Sequence, residues 1–285
     1  MEKTADDGWS DMPLPPIHHL TGDPGRRLCY RTDPMVREGW ATLVGVLGEG
    51  EALRFASGTA LAWLRPDAAA AGALADVVEQ IARAGFMPMG ACVVQLTRAE
   101  VRALWWWQLK RATAERLLLL DAVAELGPGL LVLYRHSGGD PARRLTQLKG
   151  GNDPAGRPAN SLRSVAGSPN RVLTMVHTSD DPLDVVRELA VFLPWRERAA
   201  LVASAWARDP YTASPVLDGP LAAVRSAYAR RPDVSDVEPE QAPSQRGEAF
   251  AALLRDITAP EVERRWAAVE TWSHRVPLLI DGASR

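Results

Sequence analysis

The sequence has few cysteines, little net charge and no long apolar run. Cys29 and Cys92 are the only cysteines and lie far apart, which indicates neither a disulfide framework nor a metal site. The formal net charge of -2 provides no broad basic field, so we expect no nucleic acid partner. No stretch reaches transmembrane length, and residues 1–16 lack the apolar segment of a secretory signal. We therefore expect a cytoplasmic protein with no membrane partner.

The composition is otherwise that of a folded protein. The apolar fraction of 46% over 285 residues is enough for a buried core in one large or two small domains. Lys3, Lys110 and Lys149 are the only lysines among 33 basic residues, so arginine carries most of the positive charge. We attribute this bias to the composition of the source genome and not to function.

The N-terminal part is predicted to contain an arm and one helix. Residues 1–33 mix proline, glycine, aspartate and histidine without a period, which indicates an irregular arm that packs on the body or on a second subunit. Asp33 and Pro34 then open a helix that ends at Gly48. Its apolar stripe is Val36, Trp40, Leu43, Val44 and Leu47. Because such a stripe must be buried, we expect this helix to pack on the rest of the chain.

Four apolar segments of strand length alternate with helical patterns in the middle of the chain. They are residues 60–64, 91–96, 130–134 and 172–176. Helical sequence follows the first and second segments, with a capping box of Thr97 and Glu100, and Asp140-Pro141 begins a helix before the fourth. The order β-α-β-β-α-β predicts an α+β fold with a ferredoxin-like antiparallel sheet and two helices on one face. The long loop 150–169 is assigned to function.

The C-terminal part, after Pro194, is helical in character and carries no obvious chemistry. Residues 221–228 form a weak helical pattern, and 231–247 form an acidic, proline-containing linker. Apolar stripes over 250–257 and 258–269 predict two more helices that cover the body or a neighbouring subunit. We therefore divide the chain into an N-terminal extension (1–56), a central domain (57–195) and a helical appendage (196–285).

His177 is the strongest candidate for chemistry. It follows the apolar strand 172–176, and Asp180 and Asp181 precede Pro182 in the pattern of a capped helix start. Glu188 lies eleven residues after His177, on that helix. A carboxylate beside an imidazole fixes its tautomer and raises its basicity, as a histidine nucleophile requires. The alternative from these residues alone is a structural histidine at a strand end.

The segment around His177 resembles the active-site segment of nucleoside diphosphate kinases, which reads Asn-Val-Val-His-Gly-Ser-Asp-Ser with a glutamate eleven residues after the histidine. The resemblance covers residues 57–195 and implies the ferredoxin-like fold of that family. It also implies that His177 is the phosphorylated nucleophile, with Ser179 and Glu188 completing the catalytic group.

The resemblance further implies three phosphate-binding residues. Arg65-Pro66-Asp67 stands where the family reads Lys-Pro-Asp, so Arg65 replaces a lysine. The turn at 150–154 resembles the family's Gly-Ala-Thr-Asn-Pro and places Asn152 at its phosphate-binding threonine. Ser161-Leu162-Arg163 resembles its Thr-Ile-Arg and places Arg163 at a phosphate-binding arginine; the alternative for Arg163 is a solvated loop arginine.

Other positions depart from the family pattern. Thr174 replaces the asparagine before the histidine, and Trp105 stands at the active-site tyrosine, so the resemblance places both among the predicted nucleotide-binding residues. Thr146 falls where the family has a second phosphate arginine, although Arg143 and Arg144 are close enough to substitute, and we predict a phosphate-binding role for Arg144. The three consecutive tryptophans 105–107 cannot share one helix face, so at least one of them is expected to be core packing.

These residues leave two functions open. The first is a phosphotransferase that moves a phosphoryl group from ATP or another nucleoside triphosphate, with Mg²⁺ bound through the phosphates, to a nucleotide or another small-molecule acceptor. The second is a nucleotide-binding regulatory or scaffold protein that has lost turnover. The intact histidine and glutamate favour the first function, and the replaced lysine and arginine favour the second. The resemblance also implies a homo-oligomer and no metal ligands from the protein itself.

Overall fold

The computed structural model describes residues 12–209 and 215–229. Several of the sequence predictions lie outside these residues. They are the first part of the arm, the linker 231–247, and the two predicted helices over 250–257 and 258–269. Within the described ranges, no helix is long and apolar enough to cross a membrane.

An antiparallel four-stranded sheet lies at the centre of the described residues. Its strands are β1 (Ala60–Leu64), β2 (Phe86–Val94), β3 (Gly129–His136) and β4 (Val176–Thr178). They lie in the order β2-β3-β1-β4, and β1 pairs with both β3 and β4. This is the order of a ferredoxin-like βαββαβ sheet, which confirms the predicted α+β fold.

Helices precede, connect and follow the strands. In chain order they are α1 (Ile17–Leu20), α2 (Pro24–Tyr30), α3 (Pro34–Leu47), α4 (Glu49–Gly58), α5 (Pro66–Ala70), α6 (Leu74–Arg83), α7 (Arg98–Leu104), α8 (Ala114–Glu125), α9 (Pro141–Lys149), α10 (Leu162–Val165), α11 (Pro182–Phe192), α12 (Trp195–Ala207) and α13 (Asp218–Tyr228). Short 3₁₀ turns occur at Gln108–Arg111 and Pro154–Gly156. The predicted caps begin their helices: Asp33 caps α3, Asp181 caps α11, and Thr97 and Glu100 form the capping box of α7.

Both faces of the sheet are covered, because successive side chains of a strand point to opposite faces. Ala62 and Leu64 of β1 pack in a core with α6, α8 and α13. Leu61 and Trp63 pack in a second core with α3, α4, α11 and α12. The expectation of helices on one face was therefore incomplete, because α3 and α4 of the N-terminal extension and α12 bury the other face.

Two glycines mark where helices approach this second core closely. A Cβ built on Gly39 of α3 would lie 2.0 Å from the Val186 carbonyl oxygen of α11. A Cβ on Gly90 of β2 would lie 2.9 Å from Leu201 Cδ1 of α12. Glycine at these positions lets α3 cross α11 and lets α12 cross β2 at short range.

The second strand begins earlier than predicted. Pro88 and Gly90 interrupt the apolar pattern, so the sequence indicated a strand only from residue 91. In the structure β2 begins at Phe86, and the pairing register with β3 shifts between Pro88 and Gly90. Because β2 is an edge strand, Pro88 is accommodated without losing a hydrogen bond that the centre of the sheet would need.

The fourth strand is shorter and begins later than predicted. Met175 has a φ of 62°, which breaks the extended run before Val176. The Val176 amide donates to the Thr174 carbonyl at 2.6 Å, closing a three-residue turn around Met175. The Met175 amide donates to Asp67 Oδ2 at 3.0 Å, and its carbonyl accepts from the Arg65 amide at 2.9 Å. These tertiary hydrogen bonds hold a conformation that the local sequence does not indicate.

The arm is more regular than predicted. Within residues 12–33 the chain forms α1 and α2, and Asp23 caps α2 through bonds from the amides of Gly25 and Arg26. The arm packs on this chain's own body, where Tyr30 is 5% exposed. The predicted contact with the body is thus present in the described part of the arm.

The chain after residue 195 also packs on the sheet. Val202 and Ala205 of α12 are buried in the second core, and Val224 of α13 is buried in the first. The Tyr228 hydroxyl donates to the Pro128 carbonyl at 2.9 Å. The boundary between the central domain and the appendage remains a prediction, but α12 and α13 both contribute to the core of the described body.

Candidate active site

His177 lies in the middle of β4, where it pairs with Trp63 of β1. Its Nε2 lies 3.0 Å from Glu188 Oε2 on α11. The same Glu188 oxygen accepts a hydrogen bond from Ser179 Oγ at 2.6 Å. A carboxylate only accepts hydrogen bonds, so we place the imidazole proton on Nε2. Nδ1 then carries the lone pair that a nucleophilic imidazole needs.

Arg65 lies at the end of β1, where it is 3% exposed. Its Nη1 donates to Thr174 Oγ1, and its Nη2 donates to the Val172 carbonyl at 3.4 Å. Its Nε lies 3.2 Å from Asp67 Oδ1. Arg65 and Thr174, two of the predicted phosphate-site residues, are therefore in direct contact, and Thr174 helps to orient the guanidinium.

Arg163 lies on α10, whose N-terminus is capped by Ser161. Its Nη2 and Nε donate to the Val176 carbonyl at 3.1 and 3.3 Å, and its Nη1 donates to the Gly150 carbonyl at 2.8 Å. Burial, reinforced by the charge of Arg65, lowers the pKa of Arg163 to about 10. The guanidinium thus still carries its charge at neutral pH, and it ties the loop after α9 to the residue before His177.

One cavity of about 210 Å³ brings most of the predicted residues together. Those that line it are Arg65, Trp105, Asn152, Arg163, Thr174 and His177. Glu188 contacts His177, and Ser179 contacts Glu188. Glu188 is 5% exposed and Ser179 is 0% exposed. The predicted catalytic group therefore stands at the wall of the cavity that contains the predicted phosphate site.

Trp105 forms a wall of this cavity beside the histidine. Its ring meets that of His177 edge-on, with the centroids 5.7 Å apart, and the Arg65 Cζ lies 5.5 Å from the Trp105 ring centroid. Trp106 is 55% exposed, whereas Trp107 lies under the Lys110 ammonium at 3.6 Å. The three tryptophans thus have three different environments, and only Trp105 lines the cavity.

Arg144 and Arg143 lie away from the cavity. Arg144 Nε and Nη2 donate to the carbonyls of Gly139 and Gly138 at 2.8 and 2.9 Å, which closes the turn before α9. Arg143 Nε lies 3.2 Å from Asp140 Oδ2, and its side chain is 63% exposed. In this conformation neither arginine substitutes for the phosphate arginine that Thr146 replaces, so the predicted role of Arg144 receives no support from the geometry.

Lys149 also lines the cavity, although the sequence did not mark it as a site residue. It lines the cavity at 9% exposed, and its Nζ lies 3.2 Å from Asp180 Oδ1 and 3.4 Å from the Thr178 carbonyl. Burial lowers the pKa of Lys149, and the charge of Asp180 opposes that shift only in part. A signal was present in the sequence, because Lys149 follows Thr146 by three residues and so shares its helix face.

Two further cavity-lining arginines were missed. Arg116 lies on α8, and Arg171 lies in the loop before β4, where it pairs with Asp153. No local motif marks either one, since their position depends on how α8 and the loop fold over the sheet. Among the described residues the lining then contains four arginines and Lys149, against the single carboxylate of Asp180. The cavity is therefore suited to an anion of high charge.

The arm contacts the carboxylates next to the catalytic group. Arg26 Nη2 lies 2.7 Å from Asp180 Oδ2 and 3.2 Å from Asp184 Oδ2, and its Nη1 lies 3.1 Å from Asp181 Oδ2. The Tyr30 hydroxyl donates to Asp184 Oδ1 at 2.6 Å. Burial lowers the pKa of Arg26, but the three aspartates outweigh it and raise the pKa above its usual value. Arg26 is therefore a fixed positive charge behind the site.

The described residues include no cluster of three or more histidine, cysteine or acidic side chains that could hold a metal ion.

Residues 58–198 match the sequence model of the family described as NDK, nucleoside diphosphate kinase. A comparison with curated proteins returned no match. Residues 58–198 therefore belong to the nucleoside diphosphate kinase-like family, and they do so as a diverged member with added segments on both sides. This agrees with the strand order of the sheet and with the motif register around His177.

Several solved structures of nucleoside diphosphate kinases are similar to this segment. The enzyme from Aquifex aeolicus is 18% identical, with a TM-score of 0.42 over 48% of this chain and 95% of that one. The enzyme from Pyrobaculum aerophilum is 16% identical, with a TM-score of 0.40 over 49% and 97%. A transition-state mimic of the Borrelia burgdorferi enzyme with vanadate and ADP is 15% identical, with a TM-score of 0.40 over 48% and 86%.

Proposed function

We propose that this chain is a phosphotransferase that carries a phosphoryl group on His177. The donor is ATP or another nucleoside triphosphate, and the acceptor is a nucleotide or another small molecule. The observation that carries the proposal is the bond between His177 Nε2 and Glu188 Oε2 at the wall of a cavity lined by five cations. A polarised imidazole beside a concentration of positive charge is what phosphoryl transfer requires.

In the first step, the lone pair of His177 Nδ1 attacks the terminal phosphorus of the donor. The bond from that phosphorus to the bridging oxygen breaks, and the nucleoside diphosphate leaves with the electron pair. Glu188 keeps the proton on Nε2 and stabilises the positive charge that develops on the ring. In the second step, an oxygen of the acceptor attacks the phosphorus, the phosphorus–nitrogen bond breaks, and the neutral imidazole is restored.

Arg65 and Arg163 are proposed to hold the phosphates, with Asn152 beside them. Both guanidiniums are fixed by protein acceptors, so they face the cavity without a further loss of side-chain entropy on binding. Thr174 orients Arg65, and Trp105 forms the wall next to the nucleophile. Such preorganised donors act on the oxygens where charge spreads in the transition state.

Magnesium fits this proposal as an ion bound through the donor phosphates. In the part of the chain that the structure describes, Asp180 is the one carboxylate that lines the cavity, which is fewer ligands than a site built from these residues alone would need. When bound, the ion would neutralise part of the negative charge of the phosphates. Arg65, Lys149 and Arg163 would hold the phosphates that carry it.

A second candidate is a nucleotide-binding regulatory or scaffold protein. The observation that favours it is the engagement of Arg65 and Arg163 with protein acceptors, which leaves fewer donors for a moving phosphoryl group. In that case the cavity would bind a nucleotide and His177 would never carry phosphate.

Incubation with radiolabelled ATP and magnesium distinguishes the two. A phosphotransferase gives an acid-labile phosphoprotein that is absent in His177→Ala and disappears when a nucleoside diphosphate is added. Equal ATP binding by wild type and His177→Ala, with no phosphoprotein in either, supports the regulatory protein instead. The homo-oligomeric assembly, the cytoplasmic location and the division at residues 56 and 195 remain predictions.

A further inference from the structure

Lys149 differs from the other cations of the cavity in how it is held. Arg163 donates hydrogen bonds from three of its nitrogens to backbone carbonyls, and Arg65 is held by Thr174, Val172 and Asp67. Lys149 Nζ, in contrast, has two acceptors among the described residues, Asp180 Oδ1 and the Thr178 carbonyl. An ammonium has three N–H donors, so one is left for a ligand.

Asp180 is shared between the cavity and the arm. Its Oδ1 lies 3.2 Å from Lys149 Nζ and 3.3 Å from Thr146 Oγ1, and its Oδ2 lies 2.7 Å from Arg26 Nη2. Burial raises the pKa of Asp180, but Lys149 and Arg26 together outweigh that effect and hold it below its usual value. The carboxylate is thus ionised and has a second cation in place. If Lys149 moved away, Arg26 would still pair with Asp180.

We propose that Lys149 binds a phosphate of the ligand, and that Arg26 makes this possible by neutralising Asp180 when Lys149 turns from it to the phosphate. The ligand is an anion that contains several linked phosphates. That these phosphates belong to a nucleotide rests on the proposed function. Thr146 stands where the family pattern has a phosphate arginine. Lys149 lies three residues beyond Thr146 on α9, so the positive charge lies about one helical turn further along the helix than in that pattern. Arg26 touches Asp180 and not the cavity, which makes it a positioning residue.

The flexible stem of a lysine suits this exchange. Its ammonium is a compact charge on rotatable bonds. A guanidinium that donates to several carbonyls, in contrast, cannot turn to a ligand without leaving those carbonyls without a hydrogen-bond donor. Asp180, with a side chain 39% exposed, can be rehydrated on one side after the exchange. The arm is thereby connected to ligand binding through one carboxylate.

The test measures binding, by isothermal titration calorimetry, of a non-hydrolysable ATP analogue with magnesium and of inorganic tripolyphosphate. We expect Lys149→Met to weaken the binding of both by about 10–100-fold, the loss of one charge-assisted hydrogen bond, and Lys149→Arg to restore part of it. Lys110→Met is the matched control, because Lys110 is the exposed lysine against Trp107 and does not line the cavity. The control should bind like wild type.

Two variants test the exchange itself. Asp180→Asn releases Lys149 and should tighten the binding of both probes, whereas a purely structural role of Asp180 would weaken it. Arg26→Met leaves Lys149 as the sole cation on Asp180 and should weaken binding, and in the Lys149→Met background it should have a much smaller effect. Urea denaturation of each variant identifies any that fail to fold. If one does, the role of Lys149 is decided by whether Lys149→Arg binds tripolyphosphate with part of the wild-type affinity.

The outcomes separate this proposal from the proposed function. Wild-type affinity in Lys149→Met, or failure of wild type to bind either probe, overturns the role of Lys149. If His177 still becomes phosphorylated in the first of these cases, the proposed function survives. If Lys149→Met weakens binding but wild type never forms phosphohistidine, the phosphate role of Lys149 stands and the phosphotransferase is wrong.

Discussion

At the scale of single residues, one carboxylate oxygen orients the proposed nucleophile His177. Glu188 Oε2 is shared between His177 Nε2 and Ser179 Oγ, and Glu188 does not line the cavity. Its effect is therefore exerted on the imidazole and not on the ligand. A fixed ring with the proton on Nε2 directs the lone pair of Nδ1, and under the proposed function holding that geometry is the role of the carboxylate.

Glu188→Gln should slow the phosphorylation of His177 by about 10²–10⁴-fold, because the amide no longer stabilises the charge on the ring. Nucleotide affinity should stay close to that of wild type. Single-turnover phosphorylation and calorimetry measure the two quantities separately. Ser179→Ala is the comparison, since it retains the contact between Glu188 and His177 and should slow the reaction less. Loss of nucleotide affinity without loss of rate would contradict this role.

The contact of His177 and Ser179 with Glu188 could be predicted from the sequence because these residues lie close together in the chain. His177, Ser179 and Glu188 are read from one strand, one turn and one helix face. Arg116 and Arg171 could not be found in this way, since α8 and the loop before β4 reach the cavity only after the sheet has formed. Arg144 was chosen by proximity in sequence, and the turn before α9 uses it instead.

At the scale of elements, the arm and the start of α11 form one unit. Asp181 caps α11 by accepting from the amides of Leu183 and Asp184, and Thr21 Oγ1 donates to the same carboxylate. Arg187 Nε of α11 donates to Asp33 Oδ2 at 2.6 Å. Because α11 also carries Glu188, these bonds fix the helix that orients the His177 ring.

Asp184 should make stability depend on pH. Burial, with the charges of Glu188 and Asp181, raises the pKa of Asp184 to about 8. A carboxyl whose pKa is higher in the folded state than in the unfolded chain stabilises the fold below the unfolded pKa of about 4, and this contribution is lost as the pH rises through the folded pKa.

The free energy of unfolding should therefore fall as the pH is raised from about 6 to about 8, by up to about 1.4 kcal/mol per pH unit for this proton. Asp184→Asn should remove that slope, because its side chain does not titrate. Urea denaturation of both proteins across this range gives the difference. A slope that is the same in both proteins would mean that Asp184 is already ionised in the folded state.

The boundaries of elements that depend on local sequence signals agree with the prediction. The boundary of β4, which depends on tertiary contacts, does not. Strand β1 begins and ends as the sequence indicated, and α3 and α11 begin at their predicted caps. Strand β4 begins late because Asp67 and Arg65, far away in sequence, hold the turn at Met175. No pattern within residues 172–176 contains that information.

At the scale of the whole molecule, the segments outside the family match complete the core. Residues 58–198 supply the four strands of the sheet. Helix α3 and nearly all of α4 precede the matched residues, and most of α12 and all of α13 follow them. Trp40 of α3 and Val202 of α12 are almost fully buried. The face of the sheet opposite α6 is thus closed by α11 together with the extensions of this chain.

A chain shortened to end at Trp195 should be much less stable than the full chain. It loses the buried side chains Val202, Val224 and Tyr228, and burial of each large apolar side chain contributes about 1.5–3 kcal/mol. The urea midpoint should fall sharply, or the shortened protein should precipitate. A chain ending at residue 229 is the matched control, because it retains α12 and α13. Equal stability of the chain ending at Trp195 would contradict the packing role of these helices.

We propose that His177 carries phosphate on Nδ1 because Glu188 occupies Nε2. Phosphorus NMR of the protein after incubation with ATP and magnesium tests it most directly, since the two isomers of phosphohistidine have different spectra. We expect a single phosphohistidine phosphorylated on Nδ1, absent in His177→Ala. Phosphate on Nε2, or no phosphohistidine from a protein that binds ATP, would contradict the claim.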